Sequence, residues 1–206
     1  MRTKTLVLAA CAAVCAVSVE AQSPAASSCP PYFGIGANVA GNPSFETPAP
    51  SVPPGDLVCW QDGDPLFPAP TSAAKGWFMH TSNAHHTVCT ALRTPSDAPG
   101  PVGARKLFVR SGGNEGGVYQ PVSVDPGKSY MFSVWVYVNV GHVGIQSRGM
   151  TGGPTSFSTR TGEWEQLRVC TNSLANTDML VVFNQAPTGG SFYVERAELR
   201  EIPTLE

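Results

Sequence analysis

The 206-residue chain carries 13 Lys and Arg against 15 Asp and Glu, a formal net charge of −2, with the two signs interspersed. That balance excludes the electrostatic footprint of a nucleic-acid or anionic-membrane binder. Charged residues make up only 14% of the chain beside 21 Gly and 19 Pro, a composition that suits many short strands and tight turns better than helices.

At the amino terminus, Arg2 and Lys4 precede an uncharged apolar run from Leu6 to Val17. This pattern reads as a signal peptide over residues 1–21, cut after Ala21, so that the mature chain begins at Gln22 and is secreted or periplasmic. A rival reading takes Leu8-Ala9-Ala10-Cys11 as a lipoprotein box that leaves Cys11 lipidated, although the apolar run before Cys11 is short for it. No later segment approaches the roughly 20 apolar residues of a membrane span. With Cys11 and Cys15 lost in the signal, Cys29, Cys59, Cys89 and Cys170 remain. An even number in an exported chain predicts two disulfides. Of the three pairings, Cys59–Cys89 with Cys29–Cys170 is favoured, the first bracing the Pro-rich segment between its cysteines. No close Cys pair suggests a thiolate metal site.

Residues 22–36 are rich in Ser, Ala, Pro and Gly and read as a linker; a single β-sandwich domain is expected over 37–206. Residues 47–70 form a long Pro/Gly/Asp-rich loop, with Leu57-Val58-Cys59-Trp60 its one strand candidate. Strands are then predicted at Gly76–His80, Thr87–Leu92, Lys106–Arg110, Gly117–Val124, Ser129–Val138, His142–Ser147, Thr155–Thr159, Glu163–Cys170, Asp178–Asn184 and Ser191–Arg200. Turn residues separate nearly all of them and none has helical periodicity, so the fold class is all-β, a sandwich or barrel.

The strand from Tyr130 to Val138 has two different faces. Tyr130, Phe132, Val134, Val136 and Val138 alternate to one side as core; Met131, Ser133, Trp135 and Tyr137 fall on the other. Aromatics beside a hydroxyl suit a sugar-binding surface, since flat rings stack on the C–H faces of pyranoses. The same residues would equally serve as a surface covered by a loop or second layer. In the next strand His142, Gly144 and Gln146 share a face, where Gly144 marks either a close ligand approach or a bulge.

The order of several motifs resembles the family 4, 9 and 22 carbohydrate-binding modules, which are galactose-binding-like jelly rolls. They are Asn42-Pro43-Ser44-Phe45-Glu46, Gly76-Trp77, Gly117-Val118-Tyr119-Gln120, Pro126-Gly127-Lys128-Ser129-Tyr130 leading to Trp135, Gly162-Glu163-Trp164, and Phe192-Tyr193-Val194-Glu195. The resemblance spans Ala37 to Ile202 and implies a jelly-roll sandwich of two antiparallel sheets that binds a polysaccharide or oligosaccharide on its concave sheet face or a loop rim. On the concave-face reading, Trp135 and Tyr137 stack on sugar, Gln146 hydrogen-bonds it, and Trp77 and Tyr119 adjoin; Trp164 is structural core. The family also implies a structural calcium ion held by the positions matching Glu46 and Glu195. Here Glu195-Arg196 stands where an Asp pair is usual, which puts a cation beside the proposed site.

Two further chemistries are weighed. His80, His85 and His86 could hold zinc or copper if Gly76–His80 and Thr87–Leu92 formed a hairpin; the plain alternative is loop histidines. Catalysis would need a positioned carboxylate pair, or a base beside a uronate-neutralising group. Asp62, Asp64, Asp97, Glu115, Asp125, Glu163 and Glu165 instead fall in or beside turns, and no G-x-S-x-G elbow or phosphate-loop Lys occurs. The expected protein is thus a non-catalytic carbohydrate-binding module. An extracellular structural or adhesive protein-binding domain, and a jelly-roll polysaccharide-active enzyme, stand as alternatives.

Overall fold

The computed structural model describes residues 29, 35–61, 71–81, 86–94, 100, 103–147 and 154–203. The signal segment, the lipidation motif at Cys11, His85, Asp62, Asp64 and Asp97 lie outside them. Eleven strands follow in chain order: β1 (Val58–Gln61), β2 (Phe78–His80), β3 (Thr87–Arg93), β4 (Lys106–Ser111), β5 (Gly117–Ser123), β6 (Ser129–Val140), β7 (Val143–Ser147), β8 (Thr155–Phe157), β9 (Trp164–Asn172), β10 (Thr177–Asn184) and β11 (Gly190–Ile202). Among the described residues there is no helix, and so none that is long and apolar enough to cross a membrane.

The strands form two antiparallel sheets, a six-stranded one in the order β1-β3-β4-β11-β6-β9 and a five-stranded one in the order β2-β5-β10-β7-β8. This is the expected jelly-roll β-sandwich. Consecutive strands repeatedly change sheets, as β4 to β5, β6 to β7 and β9 to β10 do. Alternation builds the core between the layers. From the six-stranded sheet come Phe132, Val134, Val136, Phe192, Val194 and Leu199, and from the other Val118, Val143, Ile145, Leu180 and Val182, all essentially inaccessible. Tyr130 joins them on the core side of β6, its hydroxyl accepting from the Asp125 amide at 3.0 Å.

The Asn42–Glu46 segment closes one end of the core. Asn42 donates from Nδ2 to the carbonyls of Thr47 and Lys75 and accepts from the Thr47 amide, which ties two loops together. Phe45 is completely buried against Trp77, with ring centroids 5.2 Å apart. The turn between β5 and β6 follows from its residues: Pro126 suits the second position of a type II turn, and Gly127, at φ +80°, supplies the left-handed third. Lys128 then reaches Asp125 at 3.1 Å and Glu201 at 3.0 Å.

Both disulfides join the favoured partners, Cys29 with Cys170 and Cys59 with Cys89. They occupy opposite edges of the six-stranded sheet, the first on β9 and the second between β1 and β3. The expected strands all form. The proposed zinc or copper hairpin does not: β2 pairs with β5 in one sheet while β3 pairs with β1 and β4 in the other, so His80 and His86 belong to different layers.

Candidate functional site

Antiparallel register decides which outward side chains share a row. In the five-stranded sheet Phe78 pairs with Tyr119, Tyr119 with Val181, Val181 with Gln146, and Gln146 with Thr155. One row therefore crosses all five strands. A second row, two residues along, runs His80–Gly117–Phe183–Gly144–Phe157. Strands lie about 4.8 Å apart and successive same-face residues about 7 Å, so the two rows cover roughly 19 by 7 Å.

The rings in these rows touch. Phe78 stacks on Tyr119 at 5.4 Å, and His80 meets the edge of Tyr119 at 6.2 Å. At the other side Phe157 meets Phe183 edge-on at 6.3 Å and stacks with His142 at 5.2 Å. The His142 Nε2 lies 2.8 Å from the Ser158 carbonyl, which holds its ring over Phe157. Val181 and Phe183 are buried in the middle, and Phe78, His80, Tyr119, Gln146 and Phe157 are half-buried around them. Gly144 explains itself here. A Cβ on it would come within 2.7 Å of Phe183 Cζ and 2.8 Å of Phe157 Cε1, so the two rings fill the space its missing side chain leaves.

The residues expected to bind ligand are thus split among three places. Tyr119 and Gln146 share the first row. Trp135 and Tyr137 lie on β6, in the other sheet, facing outward on the opposite side of the sandwich. Trp77 has no exposed surface; it packs in the core and donates from Nε1 to the Gly41 carbonyl at 3.2 Å. These five therefore do not form one site. Trp164, expected in the core, is instead half-buried on the outward face of β9, paired with Tyr137. There it ends an aromatic row of Phe108, Tyr193, Tyr137 and Trp164, with successive centroids 5.2, 6.2 and 5.7 Å apart. Phe78, His80, Phe157 and Phe183 were missed from the site. Alternation alone marks each as facing away from the core, but not that they fall in two adjacent rows of one sheet.

Glu46 and Glu195 do converge. A Cβ on Gly103 would lie 2.7 Å from Glu46 Oε1, 3.3 Å from Glu195 Oε1 and 3.6 Å from the Arg105 carbonyl oxygen, so three hard oxygens surround one point. Glu46 Oε1 also accepts from the amides of Ala104 and Arg105 at 2.7 and 3.1 Å. Arg196, the departure from the family pattern, turns away: its Nε donates to Glu198 at 3.0 Å. Carboxylate and carbonyl oxygens are the donor type of a hard cation such as calcium, and these three supply only part of the six to eight oxygens it takes. Continuing the β11–β4 register one step past Val194 and Leu107 brings Glu195 level with the buried Lys106, a cation of the chain's own.

Three of the carboxylates weighed for catalysis are engaged in local structure. Glu165 accepts from the Thr159 amide and hydroxyl, Glu163 pairs with Arg160 at 3.3 Å, and Asp125 pairs with Lys128.

No protein family's sequence pattern matches the chain, and no curated protein matches it in sequence. Solved structures match in fold. A Bacteroides thetaiotaomicron protein with a provisional sugar-binding assignment is similar over 81% of this chain and 100% of its own, at TM-score 0.50 and 11% identity. The carbohydrate-binding module TmCBM61, solved with β-1,4-galactotriose, covers 81% of this chain and 99% of its own at TM-score 0.49 and 14% identity. A cyclase from Fischerella sp. TAU, solved with an indolyl butanone, covers 82% and 100% at TM-score 0.49 and 14% identity. At 11% identity the likeness to the Bacteroides protein bears on the fold alone and leaves function to the site.

Proposed function

We propose that this chain is a secreted, non-catalytic carbohydrate-binding module that holds a polysaccharide or oligosaccharide across the outward face of its five-stranded sheet. In this reading residues 37–206 are the module, preceded by a signal peptide over 1–21 and a linker over 22–36. The observation that carries it is the paired rows, Phe78–Tyr119–Val181–Gln146–Thr155 above His80–Gly117–Phe183–Gly144–Phe157. They set aromatic rings at both sides of a strip with the amide of Gln146 between and the hydroxyl of Thr155 at the β8 end of the first row, the combination of apolar stacking surface and orienting polar groups that a sugar requires. Glu46 and Glu195 are proposed to hold a structural calcium ion.

The test is retention of the disulfide-intact protein on a panel of neutral and acidic glycans, with Tyr119→Ala and Gln146→Ala as variants. Selective retention of one glycan class that falls at least tenfold in both variants supports the reading. No retention by folded protein, or retention indifferent to both, overturns it. For the metal, a melting temperature that rises with millimolar calcium in the unsubstituted protein but not in Glu195→Gln supports the ion. An unchanged melting temperature favours Lys106 as the partner of Glu195.

A further inference from the structure

The opposite side of the sandwich carries a separate groove. It has a volume of about 360 Å³ and is lined by Ser133 and Trp135 of β6, Arg168 of β9, and Arg196, Glu198 and Arg200 of β11. Register places them together: Ser133 pairs with both Arg168 and Glu198, and Trp135 lies one same-face step along β6. None of these residues belongs to the rows on the five-stranded sheet.

Two guanidinium groups meet one carboxylate here, and a third, that of Arg168, lines the same groove and donates from Nε and Nη2 to Gln166 Oε1. Glu198 Oε1 accepts from Arg196 Nε at 3.0 Å and its Oε2 from Arg200 Nε at 3.3 Å, while Arg200 Nη1 donates to the Gly36 carbonyl at 2.9 Å. Glu198 thus orients two arginines through their Nε atoms, and among the described residues the Arg196 Nη groups have no further partner. The backbone is shaped for this: the register slips between Glu195 and Glu198, and Arg196 sits at φ +49°. A bulge of this kind re-aims a side chain at the cost of ladder pairing. Here it turns an extra arginine out beside Trp135.

We propose that this groove is a second binding site, for an acidic sugar residue whose carboxylate or sulfate ester is held by Arg196 and Arg168 while its ring lies on Trp135. Guanidinium forks match both anions. Glu198, with acceptor capacity remaining, receives sugar hydroxyls, and its charge repels a densely charged phosphodiester chain.

The test is affinity electrophoresis and calorimetry with four probes: an oligogalacturonide, a sulfated chondroitin fragment, a neutral oligosaccharide and a thymidine oligonucleotide. Trp135→Ala, Arg168→Gln and Tyr119→Ala are compared with the unsubstituted protein, each checked for folding by its melting temperature. The expected result is binding of one or both acidic glycans that weakens at least tenfold in Arg168→Gln and Trp135→Ala and is unchanged in Tyr119→Ala. Which of the two binds separates carboxylate from sulfate. Should Trp135→Ala fail to fold, Arg168→Gln alone decides. Failure of both acidic probes to bind, binding indifferent to Arg168→Gln, or tighter binding of the oligonucleotide overturns the proposal. Since Tyr119→Ala reports on the other face, loss of neutral-glycan binding there with acidic binding intact separates the two sites.

Discussion

Replacing Gln120 tests how the end of the sandwich is held together. Its side chain is almost fully buried and bridges two loops: Oε1 accepts from the Gly41 amide at 2.8 Å, and Nε2 donates to the carbonyls of Gly41 at 2.9 Å and Gly76 at 3.1 Å. Each such bond contributes about 1 kcal/mol net, and a buried group left bare costs more. Gly41 and Gly76 themselves reach solvent, so water can take up the freed backbone groups, and Trp77 continues to serve the Gly41 carbonyl. Gln120→Ala is therefore expected to cost about 2–3 kcal/mol, lowering the melting temperature of a domain of this size by roughly 5–10 °C. Gln120→Glu keeps the shape and the acceptor but turns the donor into a second oxygen facing two carbonyls. Burial and those carbonyls raise the pKa of the new carboxyl, so the variant is weakest at neutral pH and regains stability as pH falls and a proton restores the donor. Urea unfolding at pH 7 and pH 4.5 measures both. An alanine variant within 2 °C of the parent, or a glutamate variant with no gain in acid, would refute the bridging role.

Gly144→Ala forces the tips of Phe183 and Phe157 aside. Stability is expected to fall by about 1–2 kcal/mol, as in a mildly overpacked site, while glycan retention falls tenfold or more; retention untouched by the displaced rings would remove this face from consideration. Glu198 has its pKa lowered from the ordinary 4.5. Burial pushes it up, but the hydrogen bonds and charges of Arg200 and Arg196 outweigh that. A carboxylate lowered on folding stabilises the protein above its unfolded pKa and loses that contribution as pH falls through the folded one. Denaturant titrations from pH 7 to pH 3 should thus show a shallower acid loss in Glu198→Gln, and parallel curves would count against the pairing. Removing the disulfides separately should rank them by loop length: Cys29 and Cys170 are 141 residues apart and Cys59 and Cys89 are 30 apart. Chain entropy gives about 5 and about 4 kcal/mol. Equilibrium unfolding of the two Ser-for-Cys pairs that reversed the order would show that local strain or residual structure dominates.

The strands and the presence of two disulfides were legible because they depend on local signals, namely alternation, turn residues and cysteine count; which cysteines pair depends on long-range packing, and there the sequence offered only a preference among three pairings. In β6 the alternation correctly separated Phe132 and Val134 from Trp135 and Tyr137. What alternation cannot say is which sheet a strand joins. Trp135 and Gln146 sit on neighbouring strands in sequence and both face outward, yet the chain crosses between layers from β6 to β7, so they point from opposite sides of the sandwich. The row from Phe78 to Thr155 is hidden for the same reason, since its five members come from strands scattered in sequence between Phe78 and Val181 and only long-range pairing brings them level. Arg196 read as an obstacle to a cation beside Glu195, because a regular strand would have placed it by residue count; the bulge sends its guanidinium to Glu198 instead.

The positions of the two disulfides bear on behaviour that stability alone does not describe. The six-stranded sheet ends at β1 on one side and β9 on the other, and each of these outermost strands carries a cysteine bonded to another part of the chain. An outermost strand offers a row of unpaired amides and carbonyls on which another chain can grow. The five-stranded sheet blunts its own margins by making β2 and β8 only three residues long. β9, with nine residues, is the longest of the four outermost strands. Under reducing conditions the first failure is then expected to be self-association through β9, setting in before the core opens, so that the Cys29–Cys170 bond would guard solubility as well as stability.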